Sequence, residues 1–210
     1  MTQGTKTFVK ALVAIFASIF LIGCEYDKSS NDGYRVDFFT NDTVDMNSVG
    51  LYVWDDVYGK NRLLHNAKIE GNHAIFTGII DRDRIAYIKP DSTNGKITYF
   101  VLTNDCICVD LRHSIPVLKG GESNDKYSEY LKKRQDIKRK MQGIFLSYLK
   151  AAADSSLTLL DEKNAVNDYK YWNDSLQILY SEVLNDNILI KDIFVAQFGN
   201  EVDSAIFNLK

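Results

Sequence analysis

The chain has 210 residues, 45% hydrophobic and 25% charged, with 12 Gly, 2 Pro, 3 Cys and 3 His. That ordinary globular composition excludes collagen-like, mucin-like and wholly disordered chains. A net charge of −3 and a pI of 5.6 exclude a general nucleic-acid binder, which needs a basic surface to neutralise phosphates.

Residues 1–23 read as a secretion signal. Lys6 and Lys10 make a positive start, and 11–22 is an overwhelmingly apolar run. Its 12 residues are too few to span a bilayer, which takes about 20, and fit a cleaved signal core of about 7–15. The run ends in Leu21-Ile22-Gly23-Cys24, which resembles a bacterial lipobox. The resemblance implies diacylglycerol on Cys24 Sγ, cleavage between Gly23 and Cys24, and acylation of the new amine. Several acyl chains hold a folded domain firmly on a bilayer, at about 0.8 kcal/mol per buried CH₂. The polar segment 24–33 has the composition of a flexible tether. The expected location is the cell envelope, on the outer rather than the inner membrane.

From Tyr34 to Gly121 the chain reads as short strands: 34–39, 49–54, 63–69, 73–80, 84–89, 96–102, 106–111 and 116–119. They are rich in Val, Ile, Tyr, Phe and Thr. Turn residues punctuate them at Asn41-Asp42, Tyr58-Gly59-Lys60, Glu70-Gly71-Asn72, Ser92-Thr93-Asn94-Gly95 and Asn104-Asp105. Short strands without intervening helices predict an antiparallel β-sandwich rather than βαβ units. Residues 96–102 are apolar on both faces, which predicts an interior strand.

Beyond Gly121 the period becomes helical. Tyr127, Tyr130, Leu131, Ile137, Met141, Ile144, Phe145 and Tyr148 fall at three- and four-residue spacing, with Ser123 as the expected N-cap. Ala165, Tyr169, Trp172, Leu176, Leu179 and Val183 form a second stripe. Residues 188–198 predict a shorter helix stopped by Gly199, and 202–209 a further one. The expected fold class is α+β: a sandwich over 34–121, then a bundle of three or four helices over 122–210.

Gly50-Leu51-Tyr52-Val53, the stretch Leu63-Leu64-His65-Asn66-Ala67-Lys68-Ile69-Glu70-Gly71-Asn72-His73-Ala74-Ile75-Phe76-Thr77-Gly78, and Ile85-Ala86-Tyr87-Ile88 carry a resemblance. With the 100–111 hairpin and Lys119-Gly120-Gly121-Glu122-Ser123-Asn124-Asp125, the chain resembles an uncharacterised β domain of Gram-negative envelope lipoproteins. In that family the domain, followed by a helical connector, precedes a thioredoxin-like or peroxiredoxin-like domain. The chain departs from the family in carrying His65-Asn66-Ala67 where Asp-Ser-Ala is common. It ends at Lys210, where the redox domain would begin, and holds no Cys-x-x-Cys to lower a thiol pKa and resolve a disulfide. The relatives' catalytic activity is therefore not expected here.

Cys106-Ile107-Cys108 is the candidate redox pair. In an extended strand both thiols share a face with Cβ atoms about 6.5–7 Å apart, against the roughly 3.5–4.5 Å of a disulfide. Redox activity then requires a bulge; otherwise the two cysteines fill one layer of the sheet while Ile107, Val109 and Leu111 fill the other. The run Lys132-Lys133-Arg134 with Lys138-Arg139-Lys140 is either a solvated face or a contact for anionic headgroups. Asp81-Arg82-Asp83-Arg84 reads as a charged connection. His65, His73 and His113 lack metal-ligand spacing, and no metal or cofactor is expected. Asp42-Thr43-Val44, Asp174-Ser175-Leu176 and Asp203-Ser204-Ala205 match a short envelope O-glycosylation pattern.

These features predict a lipid-anchored, non-catalytic interaction module with the membrane, through Cys24, and an envelope protein as partners. Two alternatives remain open. One is a substrate-recruiting part of a thiol-disulfide system whose catalytic domain lies outside this chain. The other is a small-ligand carrier with a pocket between sandwich and helices.

Overall fold

The computed structural model describes residues 33–41, 47–55, 60–91 and 97–207. The signal segment 1–23, the cleavage pair Gly23 and Cys24, most of the tether and the triplet Asp42-Thr43-Val44 lie outside the described residues. Eight strands come first: β1 (Tyr34–Phe39), β2 (Ser48–Asp55), β3 (Lys60–Lys68), β4 (His73–Gly78), β5 (Arg84–Pro90), β6 (Thr98–Leu102), β7 (Cys106–Asp110) and β8 (Val117–Lys119). Three helices follow: α1 (Glu122–Ala153), α2 (Leu159–Leu184) and α3 (Ile188–Phe207). The architecture is α+β, with two sandwich-like four-stranded sheets ordered β4-β1-β7-β8 and β3-β2-β5-β6.

Alternation builds the core. Val36 and Phe38 of β1, Ala74 and Phe76 of β4, and Ile107 and Val109 of β7 point inward and are buried. Val49, Leu51 and Val53 of β2 and Ala86 and Ile88 of β5 meet them from the second sheet. Each such Val, Leu, Ile or Phe contributes about 1.5–3 kcal/mol on burial.

Two expectations about the sheets change in three dimensions. The first sheet is mixed, because β1 pairs with β7 in parallel (Val36 beside Ile107, Phe38 beside Val109), while the other strand pairs are antiparallel. After β1 the chain crosses to the second sheet for β2 and β3, returns as β4, and crosses again for β5 and β6. It re-enters as β7 on the free side of β1, and such a crossover is what a parallel pair requires. Second, β6 is an edge strand rather than an interior one. Both its faces are apolar because α1 and α3 cover the side turned away from the sandwich, leaving Val101 fully buried.

The passage from β8 into α1 uses two glycines at positive φ, Gly120 (97°) and Gly121 (77°). Gly121, not Ser123, is the N-cap; Ser123 lies inside the first turn. A Cβ on Gly120 would stand 1.9 Å from the Cys106 carbonyl oxygen, so this turn admits no side chain there. Helix α2 starts at a reciprocal capping box, Thr158 with Asp161. Two helical stretches meet within α3 at a non-helical residue, Phe198 (φ −131°, ψ 17°), beside Gly199, the site of the expected break, and the chain continues helical to Phe207; taken as one kinked helix, α3 makes three helices among the described residues. The described residues form one compact unit, so position 121 marks a change of secondary structure within it. No helix among the described residues is long and apolar enough to cross a membrane.

An ionic latch holds α3 to the other two helices. Glu201 accepts from Arg134 (2.5 Å) and Tyr180 (2.7 Å) and pairs with Lys138 (3.1 Å). Burial alone pushes its carboxyl up, but hydrogen bonds from Tyr180, Arg134 and Lys138 outweigh that and bring it down to about 2. A depressed carboxyl contributes stability above its unfolded pKa of 4.5, and that contribution is lost as pH falls toward 2. Glu201 is partly exposed, so solvent screening trims the effect to about 1 kcal/mol. Glu201→Gln is expected to lower Tm at pH 7 by roughly 2–4 °C, with the gap to the parent closing between pH 4.5 and 2 in thermal melts. A gap independent of pH would show that the latch is not ionic.

Candidate functional site

Chemistry-bearing side chains gather on the outer face of the first sheet. Because Val36, Phe38, Ile107 and Val109 point inward, Arg35, Asp37 and Phe39 of β1 and Cys106, Cys108 and Asp110 of β7 point outward, with His73 beyond them on β4. The register sets Arg35 beside Cys106, Asp37 beside Cys108 and Phe39 beside Asp110. His73 lies across from Phe39 and stacks on its ring at 4.4 Å. Arg112 packs on the same ring at 4.5 Å.

Two carboxylates are nearly inaccessible here, Asp37 at 5% and Asp110 at 6% exposure. Asp37 takes a two-point bond from Arg35 (2.8 and 2.9 Å) and meets His73 Nε2 at 3.0 Å. Asp110 takes the Arg112 guanidinium at 2.9 and 2.7 Å and the Arg112 backbone N–H at 2.9 Å, with His113 at 3.5 Å. Burial pushes both carboxyls up, but the arginine hydrogen bonds and charges exceed it, so both lie below the ordinary aspartate range. Held ionised and with their oxygens engaged, these acids are suited to fixing strand ends rather than to accepting a proton from a substrate.

Cys106 and Cys108 are half-buried on this face and free of disulfides. Ile107 between them is fully buried, so the alternation is unbroken, and the geometry that separates the two thiols holds. His65 lies edge-on to Tyr34, and Asp81 pairs with Arg84 at 2.8 Å. Among the described residues no group of three or more His, Cys, Asp or Glu is placed to hold a metal ion. The basic run of α1 is drawn into the helical packing. Arg134 and Lys138 hold Glu201, Arg139 faces Asp136 at 3.5 Å, and Lys133 and Lys140 lie over the rings of Tyr130 and Trp172. Of the glycosylation triplets, Ser175 sits inside α2 with its hydroxyl donating to the Tyr171 carbonyl.

The second feature is the far end of the α1–α2 hairpin. Thirty-two residues make α1 about 48 Å long at 1.5 Å per residue. Its buried residues end at Met141, and those of α2 begin only at Leu176. Between them Phe145, Leu146, Leu149, Leu160 and Val166 are exposed, and Leu159 is 84% exposed. Ile144, Phe145, Tyr148, Ala165, Val166 and Tyr169 line an open groove between the two helices, with Lys170 and Asn173 at one end. The periodic stripes place Ile144, Phe145, Tyr148, Ala165 and Tyr169 in the core, and here the structure differs. Their spacing is that of a core helix, but among the described residues nothing packs against this stretch except the other helix. The signal legible in sequence is the set of large apolar residues off the stripe: Leu146, Leu149, Leu160 and Val166.

No protein-family model matches the chain, and no curated protein or solved structure matches it either.

Proposed function

We propose that this chain is a lipid-anchored, non-catalytic interaction module of the cell envelope. It is held to the membrane through Cys24 and presents the distal α1–α2 arm to a protein partner. The observation that carries the reading is the arm itself, with large apolar side chains exposed on both helices beyond the last residues of the core. A contiguous exposed apolar surface of this kind marks an association site. The saturated acids on the outer face of the first sheet and the unbroken cysteine strand agree with a role other than catalysis. The resemblance to the N-terminal domain of envelope lipoproteins and the Leu21-Ile22-Gly23-Cys24 motif support the anchor.

The test places a photo-crosslinking amino acid at Phe145 in the full chain and irradiates intact envelopes. A discrete adduct is expected at Phe145 and none at the control position Thr77, exposed on the outer face of the first sheet. No adduct from Phe145 would remove the reading. Cys24→Ser is expected to release the protein from the membrane fraction, and retention would overturn the anchor.

A further inference from the structure

We infer that the distal arm pairs with a second copy of this chain, α2 lying antiparallel to α2 of the partner across a twofold axis beside Val166. The inference deepens the reading of the arm as an interaction element and rests on it.

The open groove continues one that α3 already fills. Nearer the sandwich, Glu201 of α3 straddles the hairpin by binding Arg134 on α1 and Tyr180 on α2. Seven residues on from Lys138 comes Phe145, and seven, eleven and fourteen residues back from Tyr180 come Asn173, Tyr169 and Val166, the same lines along each helix. A helix is therefore the shape that fits the remaining stretch. A bilayer fits badly, because Asp154, Asp161 and Glu162 stand exposed at the end of the arm and would have to leave water.

Charge selects the helix. Val166 is 61% exposed at the middle of the open face of α2. Glu162 lies four residues before it and Lys170 four after, both exposed, and neither has an ion pair within the chain among the described residues. An isologous contact sets residue i against j and j against i. An antiparallel seam centred on Val166 therefore brings Glu162 to Lys170 of the partner, twice, with valine on valine between them. A parallel seam would set Glu162 against Glu162. Leu159, seven residues before Val166, and Tyr169, three after, extend the apolar line at the three-four-seven spacing of helix pairs.

The test introduces Val166→Cys into the full chain with Cys106→Ser and Cys108→Ser, and oxidises it mildly in native membranes. Exposure of Val166 makes the substitution compatible with folding. A disulfide-linked dimer is expected, and none from Asn164→Cys, exposed and about 160° round α2 from Val166. Glu162→Lys or Lys170→Glu alone is expected to reduce dimer yield about tenfold, and the two together to restore it. A monomeric Val166→Cys chain, or a double reversal no better than the singles, overturns the inference. If Val166→Cys stays monomeric while Phe145 crosslinks to a different protein, the second copy is wrong and the interaction reading survives; if Phe145 yields no adduct, both fail.

Discussion

Asn124→Leu is expected to reduce unfolding free energy by about 4 kcal/mol, lowering Tm by roughly 8–16 °C. Asn124 is fully buried at the start of α1, and its side chain behaves as one more peptide group beside the edge strand β6. Its Oδ1 accepts the Val101 N–H at 2.8 Å, while its Nδ2 donates to the carbonyls of Val101 and Gly120, each at 2.8 Å. Leucine fills the space but leaves one buried N–H and two carbonyls without partners, at about 1–3 kcal/mol per group. Urea denaturation followed by circular dichroism measures the loss. A value under about 1 kcal/mol would mean that water reaches the β6 edge and that Asn124 does not close it.

Phe194→Ala is expected to cost about 3–5 kcal/mol. Phe194 is fully buried where the three helices meet, 5.6 Å from the Tyr180 ring, 6.5 Å from Tyr127 and 4.9 Å from Phe198, the first two edge-on. Truncation leaves a cavity that these rings cannot collapse into without abandoning their hydrogen bonds, Tyr127 to Gln197 and Tyr180 to Glu201. The two tryptophans separate the readouts, Trp54 in β2 and Trp172 in α2. Single-tryptophan chains carrying Phe194→Ala are expected to report one shared, lowered midpoint, because α1 and α3 both pack on β6. A drop seen only by Trp172 would show that the helices unfold independently of the sandwich.

Strands were legible in the sequence where one face is apolar and a turn follows, as at Tyr34–Phe39, whose bounds agree to the residue. Alternation is a local property, and Val36 and Phe38 against Arg35 and Asp37 need no partner to be read. Residues 96–102 show where that reading stops, because two apolar faces state that both are covered but not by what. The same limit applies to α1, whose stripe runs evenly from Tyr127 to Tyr148 although the core ends at Met141.

By itself, the sequence determined the α+β order, the strand and helix periods and the change of period at Gly121, because each follows from spacing along the chain. Only the tertiary structure decided that β1 and β7 run in parallel, that α1 and α3 cover β6, and that Asp37 meets His73 thirty-six residues away. It also decided that half of the helical hairpin stands clear of the core. Those facts depend on which distant segments share space, and burial is a property of neighbours that no residue carries in its own identity.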